Sequence, residues 1–317
     1  MNNTDILNKD NSGKALDFLI DELKHILRED QIAINEPMRN HTTFRIGGPA
    51  DIMVFPEEEL QIVSIMEKAS EKGIPCTIIG NGSNILVSDR GIRGLVIKIA
   101  DSFAGCSIEG NAVWAQAGIR LTALSRLILE AELAGFEFAS GIPGTLGGGV
   151  YMNAGAYDSE MKNIVKSVRV IDREGRITEL ENEQMKFGYR KSLAMEKGYI
   201  VLSVCLELEK GSRDKIKAKI DDFTEKRVSK QPVSEFSAGS TFKRPSGHFA
   251  GKLIEEAGLR GYTKGDAKVS EKHCGFVINK GSCTFEEMIM FIEDVKRRVF
   301  ENSGIMLEEE VRIIGER

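Results

Sequence analysis

The chain has 317 residues, a formal net charge of −5, and 41% hydrophobic and 29% charged residues. This is ordinary globular composition, long enough for two or three domains. Its mild acidity argues against a general nucleic-acid binder, which needs a basic face to displace counterions. No apolar run approaches the roughly 20 residues of a membrane span, and the polar start MNNTDILNKDNSGK has no signal core. Cys76, Cys106, Cys205, Cys274 and Cys283 include no CxxC, so reduced thiols and a cytoplasmic location are expected. His25, His41, His248 and His273 show no ligand spacing, and no protein-bound metal is expected.

Taken in order, residues 1–14 read as frayed. Residues 15–29 form a helix with Leu16, Phe18, Leu19, Leu23, Ile26 and Leu27 at helical spacing. Thr43, Phe44 and Ile46 read as extended, Gly47, Gly48 and Pro49 interrupt, and 52–55 is a strand. A helix at 57–71 shows Leu60, Val63, Met66 and Ala69 on one face and ends before Gly73 and Pro75. Strand 76–79, loop 80–84, and strands 85–88 and 95–99 follow. Residues 107–118 form a hairpin, with Trp114 taken as packing. A helix at 121–135 turns Leu124, Leu127, Ile128 and Ala131 inward, and 136–139 reads as a strand. Strands 164–172 and 176–180 flank a turn at 173–175, and 198–209 is a long strand. The charged helix 213–227, with Ile216, Ile220 and Phe223 as its apolar stripe, reads as the opening of a second domain. That domain holds helix 249–258, strand 273–279 and helix 283–304, with Phe285, Met288, Ile289, Ile292, Val295 and Val299 on one face. A strand at 305–315 ends the chain. The whole is a mixed α+β pattern.

One stretch stands out. GIPGTLGGGVYMNAG (141–155) contains six glycines, a density read as loop because each glycine costs conformational entropy in a helix or strand. Backbone free of Cβ atoms can turn N–H groups inward as an anion-binding nest, so the stretch reads as a phosphate cradle. GNGSN (80–84) is a second candidate, with Asn81, Ser83 and Asn84 offering hydrogen bonds. It is not a Rossmann fingerprint: no third glycine stands at 85, and a strand rather than a helix follows. Neither loop carries the Lys-Ser/Thr of a P-loop, and GxSxG is absent.

FRIGGPAD, GNGSNILVSD, GIPGTLGGGVYMNAGAY, FGYRKS, SAGSTFKRP and LEEEVRIIG occur in the order found in the UDP-N-acetylenolpyruvoylglucosamine reductase family, and the chain resembles that family over about 40–317. The resemblance implies an FAD-binding domain of the PCMH/vanillyl-alcohol-oxidase type at 40–211, after an extension and helix at 1–39. An α+β substrate-binding domain would occupy 212–304. The tail 305–317 would return to an N-terminal subdomain ending near residue 80. It implies that Gly80, Asn81, Gly82, Ser83 and Asn84 form one wall of a pyrophosphate cleft. Gly141, Gly144, Thr145, Gly147, Gly148, Asn153 and Gly155 would supply the other.

The reaction so implied has two hydride transfers, from NADPH to FAD and from FAD to the enolpyruvyl group of a UDP-sugar, in peptidoglycan precursor synthesis. On the matched motifs, Arg190 would stabilise the carboxylate or enolate. Ser240 would donate the proton. Glu310 would match the last acid of the family's LEPEV pattern, here LEEEV. Strand alternation keeps Glu308 as its competitor. Lys230 and Arg244 would meet the UDP-sugar. The chain from 190 to 230 is too short for an extra tyrosine-bearing loop, which resembles the branch lacking it. No nucleic-acid or membrane partner is implied.

Overall fold

A computed structural model describes residues 14–172 and 174–317. The expected frayed start up to residue 13, and Arg173 of the expected turn, lie outside them. The first helix covers 14–23 and is shorter than its apolar spacing suggested. Leu19 and Leu23 are buried, whereas Phe18 is half-exposed beneath Lys72, whose Nζ stands 3.9 Å from the ring centroid.

Two sheets build the N-terminal part. In the first, Ile32–Pro37 pairs antiparallel with Pro49–Val54. That strand runs parallel to Ile92–Lys98, which runs parallel to Cys76–Ile79. Parallel strands need a crossover, and the helix Glu59–Glu71 carries the chain from Pro49–Val54 to Cys76–Ile79, on the two sides of Ile92–Lys98. It buries Ile62, Ile65 and Ala69, while Leu60 is 73% exposed. Gln61 accounts for the phase: its side chain accepts from the N–H groups of Glu57 and Glu58 and reaches back to the Ile26 carbonyl. That turn points inward and leaves Leu60 outside.

The second sheet is antiparallel, in the order Ile177–Glu181, Val165–Ile171, Ile200–Glu207, Ala112–Gln116, Cys106–Glu109. Alternation along Ala112–Gln116 buries Val113 and Ala115 and turns Trp114 outward, so Trp114 is not the packing residue expected. The helix Leu121–Glu130 packs through Leu121, Leu124 and Ile128, with Leu127 exposed. Residues Glu137–Ala139, expected as a strand, form one 3₁₀ turn, because Ala139 and Ser140 donate back to Phe136 and Glu137. One core joins both sheets, running from Ile52 and Leu95 through Leu146 and Val150 to Val168 and Val204.

The helix Arg213–Lys230 does not open the second unit. It lies on the first, where Phe223 stacks on Tyr157 at 4.1 Å between ring centroids and the Tyr157 hydroxyl donates to the Phe223 carbonyl. The C-terminal unit contains helix Ala250–Glu256, a small antiparallel sheet of Thr263–Lys264, Ala267–Val269 and Val277–Asn279, and helix Phe285–Ser303. Strand 277–279 starts late because Gly275 and Phe276 both donate back to His273 in a turn. Thr284 and Glu287 cap the long helix, and Gly304, at φ 70°, ends it.

Phe44 and Ile46, expected as extended chain, form no strand. Arg45 between them has φ 58°, and both apolar side chains insert into the core of the C-terminal unit. The tail returns as strand Arg312–Ile314, parallel to Ile85–Val87. Its Ile314 packs against a cluster of Met38, Met53 and Val87.

Candidate active site

A cleft of about 940 Å³ runs between the two glycine-rich segments. The six glycines of 141–155 are not all loop, since Gly147, Gly148 and Gly149 lie in a short helix, Leu146–Tyr151, capped by Thr145, whose Oγ1 accepts from Gly148 N at 3.3 Å. Packing explains this. A Cβ on Gly147 would stand 2.6 Å from Ala117 Cβ, and one on Gly149 would stand 3.2 Å from Met161 Cε. Across the cleft, a Cβ on Gly80 would come within 2.5 Å of Thr145 Oγ1. Gly82 adopts φ +63° with the His41 carbonyl directly over it. Bare backbone thus lets the two walls approach each other.

Every residue expected to face a cofactor lines this cleft except Asn153. Asn153 is fully buried and spends its amide on protein, donating to the Gly188 carbonyl at 3.0 Å and accepting from Lys162 N at 2.9 Å. Asn84 lines the cleft, yet its amide nitrogen donates to the Glu310 carbonyl at 3.1 Å. Sequence reasoning missed Arg227. It lies in the cleft beside Gly141, and its Nε is buried with no hydrogen-bond partner among the described residues. Burial holds its guanidinium below the ordinary arginine value. A half-buried cation whose Nε has no partner suits an anion. With a glycine-lined cleft in the size range of small-molecule sites, these residues fit a pyrophosphate-bearing cofactor. The signal lies in KRVSK (226–230), where the expected anion contact is Lys230. Lys230 is exposed at the helix end and lines neither cavity.

At one end the cleft meets a second cavity of about 360 Å³, and Arg190, Ser240 and Glu310 line both. Three separate segments bring them together. Arg190 sits in a tight turn closed by mutual Gly188 and Lys191 hydrogen bonds, with φ +52°. Ser240 precedes Thr241–Lys243, which pairs with the tail through a Phe242–Glu309 bridge, Lys243 N to Glu308 O and Glu310 N to Thr241 O. This pairing sets Glu310 beside Ser240. Arg190 Nε then donates to Glu310 Oε1 at 2.5 Å. Burial pushes the Glu310 carboxyl above its usual value, and the Arg190 charge only partly opposes it. Glu308 is excluded as the competitor, because its side chain is 74% exposed and pairs with Lys243. Arg244 lines the second cavity with its guanidinium 3.9 Å from the Phe249 ring centroid, and its N–H donates to Tyr189 Oη. Lys252, Arg260, Lys272 and His273, none of them singled out from the sequence, line the same cavity.

Fold and cleft together define a class: an FAD-binding domain joined to a C-terminal α+β unit, with a cation-lined cavity where they meet. Residues 50–181 match the FAD binding domain family, and residues 231–314 match the C-terminal domain of UDP-N-acetylenolpyruvoylglucosamine reductase. The chain is 55% identical to the UDP-N-acetylenolpyruvoylglucosamine reductase of Clostridioides difficile (strain 630), over 93% of this chain and 97% of that one. It is 48% identical to the protein of that name from Caldanaerobacter subterraneus subsp. tengcongensis, over 95% and 99%. The crystal structure of UDP-N-acetylenolpyruvylglucosamine reductase from Thermus caldophilus superposes with a TM-score of 0.76 at 34% identity, covering 89% of this chain and 97% of that one. The chain belongs to the UDP-N-acetylenolpyruvoylglucosamine reductase family.

Proposed function

We propose that this protein reduces the enolpyruvyl group of UDP-N-acetylglucosamine-enolpyruvate to give UDP-N-acetylmuramate, with FAD bound and NADPH as reductant, in cytoplasmic peptidoglycan precursor synthesis. The observation that carries this reading is the convergence of Arg190, Ser240 and Glu310 at the end of a cleft walled by bare glycine backbone. No helix among the described residues is long and apolar enough to cross a membrane.

Residues 80–83, residues 141–148 and Arg227 would hold the FAD, which when bound supplies the hydride chemistry between NADPH and the enolpyruvyl carbon. The protein supplies charge and a proton. Arg190, a permanent cation, opposes the negative charge that grows on the substrate carboxylate when hydride reaches the methylene carbon of the enolpyruvyl group. Ser240 gives its proton to the other carbon of the former double bond. A serine hydroxyl is a weak acid, and the cations lining its cavity, Arg190, Arg244 and Lys272, favour the oxyanion it leaves. Its hydroxyl enters no hydrogen bond among the described residues, so it is free to face substrate. Glu310, held by Arg190, keeps that cation in place. The cationic far side of the second cavity suits the diphosphate of a UDP-sugar.

Purified protein is expected to be yellow and to release flavin on denaturation. NADPH oxidation is expected to run steadily only after the enolpyruvyl UDP-sugar is added. Protein that stays colourless after incubation with FAD would sink the reading.

A further inference from the structure

We infer that Asn84 and Asn153 are positioning residues for the Arg190–Glu310 pair, one supplied by each glycine-rich segment. The inference rests on the reductase reading for its consequence and on geometry for its content.

Glu310 is fixed at both of its backbone polar groups. Its N–H donates to the Thr241 carbonyl at 2.8 Å, and its carbonyl accepts from Asn84 Nδ2 at 3.1 Å. The Asn84 carbonyl accepts from Arg312 N at 3.0 Å, tying down the residue two positions on. Arg190 is held from the other wall. A non-glycine residue at φ +52° is strained and persists only where its surroundings over-determine it. Those surroundings are two bonds from the stretch that ends the glycine-rich helix. Asn153 Nδ2 donates to Gly188 O at 3.0 Å, two residues before Arg190. Ser192 Oγ donates to Tyr151 O at 2.7 Å, two residues after it. Asn153 itself adopts φ +48° and is fully buried, with its carbonyl oxygen accepting from Lys162 N. Each asparagine therefore stands in a cofactor-wall segment but gives its amide to the backbone that carries one partner of the ion pair, Asn84 to Glu310 itself and Asn153 to Gly188. The walls that hold the cofactor also set the pair's geometry.

Asn153→Asp tests this, because aspartate tolerates the left-handed backbone and keeps the acceptor for Lys162 while replacing the donor to Gly188. Asn84→Ala removes the other tie and serves as the second variant should the first fold poorly. For each, the crystal structure, melting temperature, FAD affinity and the two half-reactions are measured beside the unaltered protein. FAD affinity and flavin reduction by NADPH should stay within about twofold, whereas the melting temperature of Asn153→Asp should fall because its carboxylate is buried against the Gly188 carbonyl. Flavin reoxidation by the enolpyruvyl UDP-sugar should fall by about 10²-fold, through kcat rather than KM, the scale of a displacement of about 1 Å. The structures should show Arg190 and Glu310 out of hydrogen-bond contact. An intact pair in the variant structures overturns the inference. So does a loss of FAD affinity with normal reoxidation in the loaded enzyme, which would make the asparagines cofactor ligands. Failure of the unaltered protein to turn over the sugar would count against the reductase reading alone, since the variant structures decide the positioning role without activity.

Discussion

Glu308, Glu309 and Glu310 meet three different cations. Glu308 pairs with Lys243 at 3.2 Å, Glu309 with Lys296 at 2.7 Å, and Glu310 with Arg190 at 2.5 Å. The backbone pairing with 241–243 makes this division and leaves only Glu310 of the three lining the two cavities. Exposed pairs such as Glu308–Lys243 contribute little to stability, so Glu310 is where a change in this run should tell on chemistry. Its neighbour Ser240 gives the most direct test. Ser240→Ala should leave flavin reduction by NADPH near normal and slow reoxidation by the enolpyruvyl UDP-sugar by about 10²–10⁴-fold, the range for loss of a positioned proton donor. Single-turnover absorbance at the flavin bands separates the two steps, and unimpaired reoxidation would remove Ser240 from the mechanism.

At the scale of elements, the short helix Leu146–Tyr151 separates two uses of glycine. Alanine at an ordinary helix position gains about 0.8–1 kcal/mol over glycine. At Gly147 that gain is outweighed, because the new Cβ meets Ala117 Cβ at 2.6 Å and overpacking costs about 1–3 kcal/mol. Gly148 is exposed to the cleft, and its Cβ would meet only Thr145 Oγ1 at 3.4 Å. Gly147→Ala is therefore expected to lower the melting temperature. Gly148→Ala should preserve or raise it while weakening FAD, as read by titration of released and rebound flavin. If both variants behave alike, the distinction between packing glycine and ligand glycine is wrong. The same helix marks what could be read from sequence. The glycine density pointed to a stretch that lines the large cleft, and the periodicity of the long helix Phe285–Ser303 gave its buried face nearly complete, with Phe291 overlooked. A six-residue helix whose reason is a contact with Ala117 leaves no local pattern. Arg227 was missed for a similar reason: its place in the cleft depends on a helix end meeting Gly141 across more than eighty residues of chain. The ordered motifs located Arg190, Ser240 and Glu310, but only the tail's pairing with 241–243 shows why they meet and why Glu308 does not join them.

At the scale of the molecule, the two units are joined by insertion and not by a hinge. Phe44, Ile46 and Leu86, from the N-terminal part, belong to the core around Met288, Phe291 and Val295. The buried Asn279 side chain donates to the Phe44 carbonyl at 2.9 Å and accepts from Gly281 N and Cys283 N. Asp89 accepts from Phe285 N, the first N–H of the long C-terminal helix, with both carboxylate oxygens, at 2.9 and 3.0 Å. The strand Arg312–Ile314 then closes on Ile85–Val87. A core shared in this way should unfold as one. Phe44→Ala removes a fully buried ring, at a cost of roughly 3–5 kcal/mol. Because the ring fills one unit while its backbone belongs to the other, the loss should fall on both. Trp114, the chain's single tryptophan, lies in the second sheet of the N-terminal part, so its fluorescence reports that part alone, whereas far-ultraviolet circular dichroism reports the whole. The two signals are expected to fall together in the unaltered protein and to shift together to lower temperature in Phe44→Ala. A variant whose dichroism splits into an early and a late step, with tryptophan following only the late one, would show that the units fold independently and that Phe44 stabilises the C-terminal one alone.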